Sequence, residues 1–192
     1  MKLLETMRIK NGRAINLPWH QRRVDAACRR YRFRPLDLVR LKHPATPLTR
    51  CRITYAESIE SIEYPPIGIR LIRTLKPVNA APKYPFKYAD RTALNLLLNT
   101  RGKADEILII KNGLITDTSV GNVAFFDGTR WLTPRAPLLK GTLRARLVAS
   151  GFLKPATLSL TKLDRFWLVA VMNAVTGFYI AGRVENVILE QA

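Results

Sequence analysis

The sequence predicts a mixed α/β protein, α+β in character, made of two small halves. The first indication is a set of turn signals: Asn11-Gly12, Asn112-Gly113 and Asp127-Gly128 each separate runs rich in apolar and β-branched residues, as in tight β-hairpins. The second is that single helical stretches alternate with these hairpins. The third is composition: 192 residues of which 47% are hydrophobic supply enough apolar surface for a buried core.

Taken in order, residues 3–9 suit a strand, Asn11-Gly12 a turn, and RAINL the returning partner. Pro18 fits the first turn of a helix, and Trp19, Arg23, Ala26, Ala27, Arg30 and Tyr31 mark helical spacing along it. Arg22, Arg23, Arg29 and Arg30 on that helix, taken without further context, read as a solvated basic face. The stretches 50–57 and 61–75 read as strands joined at Pro65-Pro66, which confines that junction to an edge or turn. The proline-rich stretch 76–85 is expected to link a small domain, 1–75, to a larger one, 86–192. In the larger half, Ala89 to Thr100 is expected to be helical, with Ala93, Leu96 and Leu97 in the core and Gly102 at its stop. EILIIKNGLITD and NVAFFDGTRWLTP are hairpins, GTLRARLVASG is a helix between glycines, and FWLVAVMN is a buried strand leading into AVTGFYIAG.

Lys plus Arg number 32 against 14 Asp plus Glu, a formal charge of +18 that favours anionic partners. The basic residues are spread along the chain without a set of stacking aromatics, so nucleic acid is not the expected partner. Cys28 and Cys51, with His20 and His43, form neither a disulfide framework nor a metal pattern, and no metal is expected. No apolar run approaches the roughly 20 residues that span a bilayer. The opening MKLLETMRIKNG has no apolar signal core, so the expected location is the cytoplasm.

Several motifs occur in a fixed order. Glu5-Thr6, a hairpin glycine and His20-x-x-Arg23 are followed by Lys87-x-x-x-Arg91, by Thr116-Asp117 with Asn122, by Thr133-Pro134 with Gly141 and Arg144, and by Asn173-Ala174. This order resembles the class IV aminotransferase family, pyridoxal 5′-phosphate (PLP) enzymes of fold type IV with the architecture of D-amino acid aminotransferases. The chain looks shorter than that family at both ends, and Leu4 stands where D-amino acid aminotransferases carry a substrate-binding tyrosine.

The resemblance implies roles. Lys87 would be the catalytic lysine that holds PLP as a Schiff base and moves the substrate proton, in keeping with an amine whose pKa burial and cationic neighbours can lower. Arg23 would hold the cofactor phosphate, which a guanidinium fork suits. The N–H groups of Thr142 and Leu143, opening a helix at Gly141, would be the other half of the phosphate cup. Asp117 would pair with the pyridinium nitrogen, one methylene shorter than the usual glutamate, with Asn122 beside it. Asn173, Ala174 and Val175 would lie near the cofactor, with Asn-Ala in place of the Ser-Gly-Thr more frequent in aminotransferases. Lys-x-x-x-Arg and Asn-Ala resemble the 4-amino-4-deoxychorismate lyases, which eliminate pyruvate to leave 4-aminobenzoate in folate biosynthesis. The expected substrate is a small anionic amine and the expected assembly a homodimer. Two further readings stay open: transamination of a branched-chain or D-amino acid, and a member that binds PLP or nucleic acid without catalysis.

Overall fold

The computed structural model describes residues 1–189, which form two compact units. Met1–Ile69 and Phe86–Asp90 make the first; Arg70–Pro85 and the chain from Arg91 onward make the second.

The first unit is a four-stranded antiparallel sheet in the order β2-β1-β3-β4 with one helix. Its elements are β1 (Leu3–Lys10), β2 (Arg13–Ala14), α1 (Leu17–Tyr31), β3 (Thr49–Tyr55) and β4 (Ile59–Glu63). Asn11 and Gly12, at φ 49° and 74°, supply the two left-handed residues that a twisted two-residue hairpin needs. Alternation along β1 and β3 sends Leu3, Met7, Ile9, Cys51, Ile53 and Tyr55 to one face, where they pack with Val24, Ala27 and Cys28 of α1. Cys28 and Cys51 are both buried thiols outside any disulfide. The buried stripe of α1 is His20, Val24, Ala27 and Cys28; of the residues that mark its helical spacing, Ala27 lies in that stripe. Trp19 instead lies under the Arg22 guanidinium, 4.5 Å from its ring centre.

The second unit holds two sheets. One is β5-β6-β7, built from β5 (Leu75–Asn79), β6 (Glu106–Lys111) and β7 (Leu114–Ile115). The other is β10-β9-β8-β11-β12, built from β8 (Asn122–Phe126), β9 (Trp131–Pro134), β10 (Leu153–Ala156), β11 (Leu168–Asn173) and β12 (Gly177–Arg183). Helix α2 (Thr92–Asn99) precedes β6, α3 (Thr142–Ala149) carries the crossover between the parallel strands β9 and β10, and α4 (Val184–Val187) follows β12. Leu108, Ile110, Val123, Phe125, Val169 and Val171 form the centre of its core. Among the described residues no helix is long and apolar enough to cross a membrane.

Three expectations change. The strand expected over 61–75 holds only to Glu63, where β4 ends ahead of Pro65-Pro66, and residues 64–74 carry no regular secondary structure. The stretch 76–85 is not wholly a linker: through Asn79 it belongs to β5, which pairs in parallel with β6. Pro77 is compatible with that because β5 is an edge strand, where a missing N–H breaks no ladder. Helix α2 begins at Thr92, later than Ala89, and buries Leu94 while Leu96 is 64% exposed. The reason lies upstream: 86–90 joins the first unit as an irregular segment tied to β1 by an isolated bridge, with Leu3 opposite Tyr88, and by the N–H of Ala89 bonding Lys2 O.

Candidate active site

In the first unit the lysine is held through its neighbours. The N–H of Tyr88 bonds Phe86 O at 2.9 Å, closing a three-residue turn with Lys87 at its apex. The N–H of Leu4 bonds Lys87 O at 2.8 Å and ties that apex to β1. Phe86 packs edge-on against Tyr31, and the Tyr88 and Tyr31 hydroxyls meet at 2.7 Å, so both neighbours are anchored in the α1-side core. Lys87, between them, faces the other side of the sheet.

Arg23 sits on the α1 side in a buried charge network. Its Nε and Nη2 donate to Glu5 Oε1 and Oε2, both at 2.7 Å, a bidentate pair. The His20 Nδ1–Glu5 Oε2 distance is also 2.7 Å, and Glu5 and His20 are fully buried. Burial pushes the Glu5 carboxyl up, but the Arg23 charge and the bonds from His20 and Arg23 outweigh it and bring the pKa down to about 2. His20 is thus a structural member of the network, as its place beside Pro18 suggests. The sequence names Glu5 only as part of the Glu-Thr motif, without a role, although the period of two along Leu3, Glu5, Met7 and Ile9 signals a carboxylate on the core face.

The second unit assembles Asp117, Asn122, Leu139 and Gly141. Asp117 and Asn122 pair as an isolated antiparallel bridge, and Asn122 Nδ2 donates to Asp117 Oδ1 at 2.7 Å and to Leu139 O at 2.8 Å. The N–H of Leu139 donates to Asp117 Oδ2 at 2.8 Å. A Cβ on Gly141 would come within 2.0 Å of Asn122 Oδ1, so a glycine is required where α3 begins. Gly141 brings no capping side chain, and Thr142 and Leu143 are the first, buried residues of the helix. Arg144 ties α3 to β9 through Nη2 to Pro134 O at 2.6 Å and Nε to Thr133 Oγ1 at 3.3 Å. That accounts for both Thr-Pro and the motif arginine. Burial raises the Asp117 pKa to about 7 against the opposing bonds from Leu139 and Asn122 and the charge of Arg144.

Register places Met172 opposite Asn122, so Asn173 follows at the same end of the sheet. Asn173 Oδ1 accepts the N–H groups of Val175 and Thr176, each at 2.9 Å, and shapes the turn into β12. The N–H of Val175 is therefore taken up within the turn, while Thr176 Oγ1 is buried with no partner among the described residues. This threonine lies within the Asn-Ala segment but is not among the site residues Asn173, Ala174 and Val175 expected from the sequence.

The donor set fits PLP. A buried carboxyl with a raised pKa suits a cationic ring N–H, and an orphaned hydroxyl together with an uncapped helix start suits a phosphate. A separate cleft of about 670 Å³ in the second unit, between Leu160, Trp167 and Val184, contains none of these residues.

The model of the amino-transferase class IV family matches residues 83–183, and that span holds the Lys87, Asp117, Asn122, Gly141 and Asn173 positions in the order just described. The chain belongs to the class IV aminotransferase family. The family is PLP-dependent. An uncharacterized Haemophilus influenzae protein is 37% identical to this class IV chain over 184 residues, 91% of the chain and 98% of that relative. A Haemophilus somnus structure, a candidate 4-amino-4-deoxychorismate lyase, superposes with a TM-score of 0.85 at 33% identity, covering 92% of this chain and 97% of that one. A hypothetical aminotransferase of Mycobacterium tuberculosis in its PLP-bound form shares the fold, with a TM-score of 0.77 at 16% identity over 95% of this chain and 82% of that one.

Proposed function

We propose that this class IV protein is a lyase of the 4-amino-4-deoxychorismate type, which eliminates pyruvate from an amine and leaves 4-aminobenzoate. The observation that carries the reading is the likeness to the Haemophilus somnus candidate lyase over 92% of the chain, joined to Lys87-x-x-x-Arg91 and Asn173-Ala174. When bound, PLP withdraws electrons from the carbon that carries the substrate amine. Lys87 Nζ would take the proton from that carbon, which becomes part of the aromatic ring as the C–O bond breaks, and a proton is delivered to the departing enolpyruvate, which leaves as pyruvate; the turn anchored by Phe86 and Tyr88 restricts where the amine can reach. Asp117, oriented by Asn122 and the Leu139 N–H, would pair with the ring nitrogen of bound PLP and keep it protonated. In the second unit the start of α3, with the Thr176 hydroxyl a further donor, would hold the phosphate; Arg23, whose fork is bonded to Glu5 in the first unit, is the phosphate arginine by the family resemblance alone. The working form in this proposal is a cytoplasmic homodimer.

The test is pyruvate release from 4-amino-4-deoxychorismate by PLP-loaded protein with no 2-oxo acid present. Wild type is expected to release pyruvate and 4-aminobenzoate together, and Lys87→Ala neither. Turnover that requires an added 2-oxo acid acceptor would overturn the lyase reading in favour of amino transfer. Borohydride treatment followed by mass analysis locates the cofactor; failure to label Lys87 would remove that residue from the mechanism.

A further inference from the structure

The face of the first sheet turned away from α1 carries a cluster of arginines without counterions. In the β1–β3 register Arg8 stands directly opposite Arg50, and Thr6 opposite Arg52. These residues alternate with the buried set Met7, Ile9, Cys51 and Ile53, so all four share the outer face, together with Leu4 and Thr54. Like charges directly opposite each other destabilise an antiparallel pair. Among the described residues, no carboxylate or hydrogen-bond acceptor partners the three guanidinium groups. Glu63 is opposite Arg52 in register, yet its carboxylate accepts from Ser61 and forms no ion pair with the arginine. Arg50 Nε is buried with no partner among the described residues. A buried guanidinium N–H beside a second arginine calls for an anion.

Lys87 lies on this same face. Leu3 opposite Tyr88, and the bond from Leu4 N to Lys87 O, put the lysine in the row of Leu4 and Thr54, on the opposite side of β1 from β3. Arg52 is therefore about 12 Å from Lys87 along the sheet, two strand spacings across and two residues along. We infer that Arg8, Arg50 and Arg52 form the carboxylate-binding side of the substrate site and select an amine that carries two carboxylates. The link to catalysis rests on the lyase reading, in which each product, pyruvate and 4-aminobenzoate, bears one carboxylate and their common substrate bears both. The positive face binds the dianion whether or not Lys87 performs the chemistry, and that separation makes the two claims independently testable.

The experiment is calorimetric titration of the PLP-loaded full-length protein with benzene-1,3-dicarboxylate and with benzoate at low salt. Wild type is expected to prefer the dicarboxylate. Arg50→Gln and Arg52→Gln are each expected to weaken it about tenfold, the usual worth of one charge-assisted pair. Arg50→Lys, which keeps the charge but loses the fork, is expected to fall between. Arg29→Gln, on α1 across the sheet, is expected to bind as wild type does. Ligand-free Arg50→Gln is expected to melt no lower than wild type, because the opposed charges are relieved. No measurable dicarboxylate binding by wild type overturns the assignment, as do wild-type affinity in Arg50→Gln and Arg52→Gln or an equal loss in Arg29→Gln. Borohydride labelling of Lys87 in the same samples separates the claims: labelled lysine with arginine-independent binding sinks the arginine site alone, and arginine-dependent binding with unlabelled lysine sinks the lysine assignment alone.

Discussion

Gly141 and Asn122 show how one atom constrains a site. The Asn122 amide occupies the space a side chain at 141 would need, and the same amide holds Asp117 and Leu139. Gly141→Ala is expected to destabilise the protein by about 1–3 kcal/mol, as forced overpacking does, and to weaken PLP binding as Asn122 is displaced; urea denaturation and cofactor titration read the two effects. Glu5 and Asp117 act oppositely on stability. Glu5 is lowered from 4.5 to about 2, so its stabilising contribution is complete above pH 4.5 and is lost as pH falls through 2. Asp117 is raised from 3.8 to about 7, so the folded state keeps a proton the unfolded chain has released, and stability falls as pH rises between those values. Cofactor-free protein is expected to lose stability over that upper window, and Asp117→Asn to abolish the loss. Loading with PLP is also expected to abolish it, since a cationic ring N–H beside Asp117 lowers its pKa. Thermal melting as a function of pH, with and without PLP, checks this.

At the scale of elements, the segment 86–90 is positioned by aromatic anchors on either side of the lysine, not by a helix. Tyr31→Phe removes the hydroxyl that meets Tyr88 and is expected to cost about 0.5–1.5 kcal/mol. Its more specific effect is local: amide exchange at Lys87 and Tyr88 is expected to quicken more than exchange in β3, where Cys51 and Ile53 are fully buried. Equal acceleration in both places would show that the tyrosine pair stabilises the unit as a whole and leaves the lysine turn unaffected. The helix reading from Ala89 failed at this point because pairing with β1, remote in sequence, overrides the local preference of Ala89 to Arg91. The 76–85 stretch departs similarly: three prolines look like a linker, but the edge strand β5, without a ladder partner on one side, accommodates Pro77, and only the part beyond Asn79, with Pro82 and Pro85, connects elements.

Over the whole molecule, the formal charge of +18 comes from basic residues spread along the sequence of both compact units. Such a field draws small anions toward the protein and is screened by salt. Raising ionic strength from roughly 0.05 M to 0.5 M is expected to lower kcat/KM for a dicarboxylate amine several-fold while leaving kcat nearly unchanged. A kcat that falls in parallel would point to a charge needed in the chemical step instead of in capture.

The sequence by itself determined what depends on neighbouring residues. The Asn-Gly turns follow from the backbone freedom of two adjacent residues, which adopt φ 49° and 74° at the first hairpin. The spacing of Lys87, Asp117, Asn122, Gly141 and Arg144 survives unchanged because motif order is covalent, and it identified the family. Only the tertiary structure decided which groups meet. Glu5 became the partner of Arg23 and His20 because α1 folds over β1, and Asp117 acquired its raised pKa from burial, which no local window contains. Arg8 and Arg50 became neighbours through strand register across some forty residues of chain, a pairing set by the packing of Met7, Ile9, Cys51 and Ile53 on the opposite face.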